Sequence, residues 1–365
     1  MTLNIAVIAG DGIGPEVVGE ALRVLDAAAR LDKLDYATQP FDYGGSRYLK
    51  AGKVIDDAEI DELRTFDAIL LGAVGHPDVK PGVLEQGLLL KLRFALDQYI
   101  NLRPVRLYEG VTTPLRDKTP ADIDFDVVRE NTEDLYCGHG GIMRKGTAHE
   151  IASQEMIATR FGVERCLRYA FELARRKKQA GDGDGKLTLV HKTNVLTYAG
   201  DTWMRAFTEI GDADYQDVTR EYHHVDACCM YMATSPERYE TIVVPNMFGD
   251  IITDLGAAIA GGMGVAASGN LNPDGTAPGM FEPVHGSAPD IAGQNKANPL
   301  ATILSVAMML EETGRIAGED AAVSTGRRIE QAARAVCPRF KGQSLDRPKS
   351  STREITDMVL DAIKA

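Results

Sequence analysis

Asp250 and Asp254 lie four residues apart, just after the β-branched pair Val243-Val244 and a turn at Pro245. On a helix that spacing puts both carboxylates on one face, one turn apart. Two like charges so close repel unless a cation or a hydrogen-bonded partner sits between them. Hard divalent cations such as Mg2+ take oxygen ligands of this kind and keep positions open for water or substrate. The same pair also suits the positive end of a helix dipole, with no ligand at all. Three arginines offer the opposite charge: Arg93 and Arg103 near the end of one predicted helix and just beyond it, and Arg129 at the end of a predicted strand. Guanidinium groups at element ends can clamp a small dianion through paired hydrogen bonds, although singly each is an ordinary surface ion pair. Tyr136, Lys192 and Asp226 add a phenol, an amine and a third acid, none diagnostic alone. His223-His224 is set aside as a metal pair because adjacent strand residues face opposite ways.

The elements that would position these groups alternate between strand and helix. Residues 3–9 read as a buried strand, and Gly10-Asp11-Gly12-Ile13-Gly14-Pro15-Glu16 turns into a helix with an apolar stripe of Val17, Val18, Ala21, Leu22 and Leu25. The glycines are spaced G-x-G-x-G, and Pro15 occupies the helix start where amides would face a pyrophosphate, so this is a turn and not a dinucleotide fingerprint. Strands follow at 36–41 and 67–71, then an amphipathic helix at 87–100, a strand at 123–128, and a glycine-rich exposed arm at 138–149. A helix at 154–178, a surface loop at 181–185 and a strand at 187–190 come next. Residues 266–299 show little periodicity, which in a compact protein marks a functional segment. Helices at 299–312, 319–336 and 351–363 complete an α/β pattern with parallel pairing.

At 365 residues the chain can hold two lobes, and its 44% hydrophobic and 25% charged content is that of a globular protein. A formal net charge of −13 argues against a nucleic-acid partner, whose phosphates need a basic surface. The five cysteines form no C-x-x-C pair and read as reduced thiols. The longest uncharged run, 255–272, is glycine-rich and not a membrane span, and the start of the chain shows neither a basic leader nor an A-x-A site. A cytoplasmic protein is expected.

Taken together, the motifs resemble the β-decarboxylating hydroxyacid dehydrogenases, the family of isopropylmalate, isocitrate and tartrate/D-malate dehydrogenases. The resemblance rests on the 10–16 turn, Asn101-Leu102-Arg103-Pro104, Val128-Arg129-Glu130-Asn131-Thr132-Glu133, His191-Lys192-Thr193-Asn194-Val195, Asn246-Met247-Phe248-Gly249-Asp250-Ile251-Ile252-Thr253-Asp254 and Glu282-Pro283-Val284-His285-Gly286-Ser287-Ala288-Pro289-Asp290, in family order along nearly the whole chain. It implies two lobes sharing a mixed β-sheet flanked by helices, not a Rossmann fold. The large, cofactor-binding lobe would be 1–105 plus 265–365, and the small lobe 106–264, with a dimerisation arm and the metal and substrate residues. It implies Mg2+ or Mn2+ held by Asp250 and Asp254, with Asp226 contributed by the other subunit of a homodimer whose active sites are shared. Arg93, Arg103 and Arg129 match residues that grip the malate carboxylates, and Asp226, Asn194 and Val195 join the substrate site. Lys192, also from the other subunit, matches the base for the hydroxyl proton, and Tyr136 the acid that protonates carbon after CO2 leaves. The cofactor is expected on His285, Gly286, Ser287, Ala288, Pro289, Asp290, Ile291 and Asn298. Asp290 would repel a 2′-phosphate and accept hydrogen bonds from ribose hydroxyls, which selects NAD+ over NADP+.

Leu89 and Leu90, with Val195 of the other subunit, would form an apolar pocket for the C3 substituent. Such a pocket does not repay desolvation of a third carboxylate but rewards an isopropyl group by about 0.8 kcal/mol per buried CH2. This favours 3-isopropylmalate over isocitrate, although plain core packing would also explain these leucines. Glu85 lies one residue further from Arg93 than in many isopropylmalate enzymes, and residues 97–107 look like the tartrate/D-malate branch, so that branch is the alternative. A catalytically dead regulatory subunit is the competing class of function, disfavoured because the three aspartates, three arginines, Tyr136 and Lys192 are all present.

Overall fold

The structure is a computed structural model that describes residues 2–364. In chain order the strands are β1 (Leu3–Gly10), β2 (Tyr36–Phe41), β3 (Ala68–Ala73), β4 (Ile100–Arg106), β5 (Asp124–Glu130), β6 (Gly140–Met143), β7 (Ile151–Gln154), β8 (Lys186–His191), β9 (Thr219–His224), β10 (Thr241–Val244), β11 (Ala267–Leu271) and β12 (Gly279–Pro283). The helices are α1 (Gly14–Asp32), α2 (Gly45–Ala51), α3 (Asp57–Leu63), α4 (Lys91–Ala95), α5 (Arg160–Ala180), α6 (Thr197–Asp214), α7 (Val225–Thr234), α8 (Asn246–Ile259), α9 (Leu300–Ala317), α10 (Asp320–Val336) and α11 (Thr352–Lys364). They form two units, 1–98 with 103–123 and 257–365, and 99–102 with 124–256. The divisions fall at 123/124 and 256/257, where sequence reading put 105/106 and 264/265. The stretch after β4 belongs to the first unit, where Thr113 Oγ1 bonds Ile259 O (2.6 Å).

In the first unit the strand order β2-β1-β3-β12-β11 is parallel except for the antiparallel β11–β12 pair. Every residue of β3 is buried, as is usual for a parallel strand covered on both faces. One face packs Ile8, Ile69 and Leu71 against Leu88, Leu92 and Leu96, which fixes the helix bearing Arg93. Each such leucine contributes about 1.5–3 kcal/mol by burial. That helix is not the continuous 87–100 expected from periodicity. A π-helical segment, Glu85–Leu90, runs into α4, and the helix stops because Asp97 adopts φ +44°. β11 and β12 lie inside the segment read as irregular; the buried Ser268 and Asn270 hid the strand pattern of β11.

In the second unit β5-β10-β8-β9 is wholly parallel, with His191↔His224 ending the β8–β9 register. β6 and β7 form a separate, exposed hairpin where the arm was expected. α5 begins later than the expected 154. Thr159 caps it by accepting from Gly162 N (3.0 Å), and Glu133 in turn accepts from Thr159 N (2.9 Å).

The glycine turn 10–14 is a structural knot. Asp11 accepts hydrogen bonds from Gly45 N (2.9 Å) and Gly75 N (3.1 Å), and Ile13 N bonds Ser287 O (2.8 Å). Gly12 has φ +57°, and a Cβ there would lie 1.9 Å from Ser287 O. Gly12→Ala is therefore expected to lower unfolding free energy by more than about 2 kcal/mol. Gly19, in α1 with open space around it, is the control: Gly19→Ala should raise stability by about 1 kcal/mol. Urea midpoints that move together for the two variants would contradict this reading.

Candidate functional site

In the second unit, the end of β5 and the start of α8 build one cluster. Arg129 is 1% exposed, and each of its guanidinium nitrogens has an acceptor. Nη1 reaches Asp250 Oδ1 (2.6 Å), Nε donates to Asn246 O (2.9 Å) and Oδ1 (3.0 Å), and Nη2 donates to Asn246 Oδ1 (2.8 Å). Gly249 leaves the room, since a Cβ there would sit 2.5 Å from Arg129 Cγ. The Tyr136 hydroxyl donates to Asp250 Oδ2 (2.8 Å), and the Arg129 guanidinium lies 5.2 Å from the Tyr136 ring centroid. Burial and the bond to Asp250 both raise the Tyr136 pKa, which keeps the phenol protonated.

The backbone between β5 and Tyr136 is held by buried carboxylates. Glu130 accepts from Thr132 N (2.7 Å) and Glu133 N (2.9 Å), while burial pushes its pKa up to about 7. Asp134, at φ +69°, accepts from Leu135 N (2.7 Å) and from Met247 N (2.8 Å) in the first turn of α8. Asp250 and Asp254 thus lie on one helix as their spacing predicts. The Asp250 side chain is 43% accessible and Asp254 is exposed. An accessible pair offering only oxygen donors fits a hard divalent cation.

A second cluster follows the ends of β8 and β9. Their register brings Lys192 beside α7, where Lys192 Nζ meets Asp226 Oδ1 at 2.6 Å. That bond holds the Asp226 carboxyl below the usual range. Asn194, Val195 and Tyr198 nearby in sequence are exposed, Tyr198 to 92%. Asp226 is not gathered with Asp250 and Asp254: among the described residues no three His, Cys, Asp or Glu side chains form a metal-sized group. Sequence reasoning missed His191, which is fully buried between Trp203 and Phe248 with no partner on either ring nitrogen. Burial lowers its pKa to about 4. Only its place at the end of an apolar strand hinted at this.

In the first unit, Arg93 is buried, with Nη2 3.6 Å from Glu282 Oε1, and Arg103 is half-buried on β4. Leu89 and Leu90 are half-buried on the π-helical segment. Leu89 touches the core that Leu88 and Leu92 fill. Glu85 accepts from Gly82 N (2.9 Å). Of residues 285–291, Ser287 is buried against the 10–14 turn, Ala288 and Ile291 pack on Ile13 and Val17, and Gly286, Pro289 and Asp290 are exposed. His285 Nδ1 lies 3.1 Å from Gly286 O. Asn298 is buried, donating to Leu345 O (2.8 Å) and accepting from Leu300 N (3.0 Å) at the start of α9.

A family model described as isocitrate/isopropylmalate dehydrogenase matches residues 4–359, and the chain belongs to that family. It is 59% identical over 313 residues to the 3-isopropylmalate dehydrogenase of Thermobifida fusca (86% of this chain, 87% of the relative). It is 51% identical over the full length of both chains to that of Corynebacterium glutamicum (strain R). Among solved structures, isocitrate dehydrogenase from Methylococcus capsulatus superposes with a TM-score of 0.83 at 34% identity, covering 100% of each chain. The α/β fold with a mixed sheet is that of the family. Among the described residues no helix is long and apolar enough to cross a membrane.

The buried His191 sets a sign for pH dependence. Its folded pKa of about 4 lies below the ordinary value of 6.5, so the unfolded chain binds the extra proton and stability falls as pH drops through that window. Glu130 runs oppositely, its contribution being present below pH 4.5 and lost as pH rises through about 7. His191→Leu should therefore reduce the stability lost between pH 6.5 and 4.5 by about 2 kcal/mol, measured by urea unfolding at both pH values. Equal losses in variant and parent would show that His191 does not titrate this way.

Proposed function

We propose that this protein catalyses the NAD-dependent oxidative decarboxylation of 3-isopropylmalate to 2-oxoisocaproate (4-methyl-2-oxopentanoate) and CO2 in leucine biosynthesis, in the cytoplasm. Identity of 51% or more to 3-isopropylmalate dehydrogenases over nearly the whole chain supports the substrate. The observation that carries the chemistry is Asp250, touched by both Arg129 and Tyr136. One carboxylate thereby joins a candidate metal site, a carboxylate clamp and a proton donor.

In this reading Arg93, Arg103 and Arg129 grip the malate carboxylates. Lys192 takes the proton of the C2 hydroxyl, and the nicotinamide, when bound, would supply the hydride acceptor. Tyr136, protonated at neutral pH, delivers a proton to carbon after CO2 departs. Asp250 and Asp254, with Asp226 of the partner subunit, hold Mg2+ or Mn2+, which when bound lowers the hydroxyl pKa and stabilises charge on that oxygen. The homodimer reading is supported by the two clusters of the second unit: Lys192–Asp226 presents a base and a ligand beside exposed Val195 and Tyr198, and the Arg129–Asp250–Tyr136 cluster lacks both. A second copy supplies them. Residues 285–291 and Asn298 would hold NAD+, with the exposed Asp290 available to accept hydrogen bonds from ribose hydroxyls; Leu89, Leu90 and the partner's Val195 would receive the isopropyl group.

Three measurements test this. Across 3-isopropylmalate, D-malate, tartrate and isocitrate with Mn2+, kcat/KM should be highest for 3-isopropylmalate; an equal or higher value on D-malate would move the chain to the alternative branch. NAD+ should exceed NADP+ in kcat/KM, and Asp290→Ala should narrow the gap. Mixing inactive Asp226→Asn and Asp250→Asn subunits should restore activity, since one site of each heterodimer keeps both native residues. Exchange without recovery would place all ligands in one chain.

A further inference from the structure

Asn246 takes no part in the roles assigned above, yet no side chain in the second unit is more closely tied to Arg129. It is 1% exposed at the first position of α8. Its backbone oxygen and Oδ1 together accept both of the Arg129 Nε bonds, and Oδ1 also accepts from Nη2. Its own amide is held in turn, because Nδ2 donates to Glu133 O (3.2 Å). The next residue is fixed by Asp134 through Met247 N (2.8 Å). Two of the three guanidinium nitrogens are thus committed to one residue, and Nη1 is left on the Asp250 side. A buried guanidinium without this anchor has strong cause to turn, since unpaired N–H groups in a low-dielectric site are costly.

We propose that Asn246 is a positioning residue that fixes the plane of the Arg129 guanidinium, so that its Nη1 edge presents to a substrate carboxylate beside Asp250. The inference rests on the reading of Arg129 as a carboxylate clamp. Asn246 touches no reacting atom; it acts through Arg129 alone.

The test is a split of kinetic constants in the full-length enzyme with Mn2+. Asn246→Ser keeps a residue favoured at a helix start but does not reach the guanidinium. It should raise KM for 3-isopropylmalate about tenfold or more, the scale of a lost charge-assisted hydrogen bond. KM for NAD+ and Mn2+ affinity by electron paramagnetic resonance should stay within about twofold, the reach of a change with no contact to either ligand. Asn246→Asp keeps the Oδ acceptor for Arg129 but loses the Nδ2 donor to Glu133 O, so its KM should fall between those of the parent and Asn246→Ser. Asn246→Gln, which displaces the amide by one methylene, should behave like the serine variant and serves if that one does not fold. In an Arg129→Lys background, Asn246→Ser should raise KM little further, because the two act as one unit. Additive effects, loss of substrate, cofactor and metal affinity together, or failure of the aspartate to rescue would each overturn the proposal. A raised KM in Arg129→Lys with none in Asn246→Ser would overturn this inference alone; an unchanged KM in Arg129→Lys would overturn the clamp and this inference with it.

Discussion

A guanidinium with 1% exposure has to be surrounded by acceptors, and that demand organises the second unit around Arg129. The acceptors come from one place, the first turns of α8, where Asn246 and Asp250 are one helical turn apart. Gly249 follows from the same constraint, because any side chain there would overlap the stem of Arg129. The loop after β5 must then reach the start of α8, and Asp134 takes a left-handed backbone to do so. Tyr136 lies two residues further along that loop. Its position beside Asp250 is a consequence of neutralising one buried charge.

The Lys192–Asp226 pair obeys a different rule. Its place follows from parallel pairing of β8 with β9, which ends both strands at the same level and leaves the following residues adjacent. It is more exposed than Arg129, its side chains being 26% and 67% accessible, so solvent screens the pair and it adds little to stability. The two clusters therefore differ in kind: one is set by a buried charge, the other by strand register.

Much of this was legible in the sequence where periodicity or spacing acts locally. β1 and α1 follow their apolar patterns, and Asp250 and Asp254 do share a helix. The turn at Gly10–Gly14 is a turn, although its service to Asp11 and Ser287 depends on segments far away in sequence. What stayed hidden depends on tertiary context. β11 buries Ser268 and Asn270, and Asn270 finds its partners in Glu282 and Met280 O across the ladder. The start of α5 is set by Glu133, which no local pattern reveals. Asn246 stands in the sequence only as part of a matching motif, and nothing in its neighbours announces the bonds to Arg129.

The π-helical segment Glu85–Leu90 bears on the spacing from Glu85 to Arg93, expected from the resemblance to be one residue longer than in many isopropylmalate enzymes. A π turn holds one more residue than an α turn at nearly unchanged direction. An inserted residue is thus absorbed before Leu92, and neither the packing of Leu92 nor the heading of Arg93 rotates by the 100° that an α-helical insertion would impose, as the period of 3.6 residues requires. The segment acts as a length buffer. The length and side chains of Glu85–Leu90 can therefore vary while Leu92 and the residues around it keep their bearing on the core.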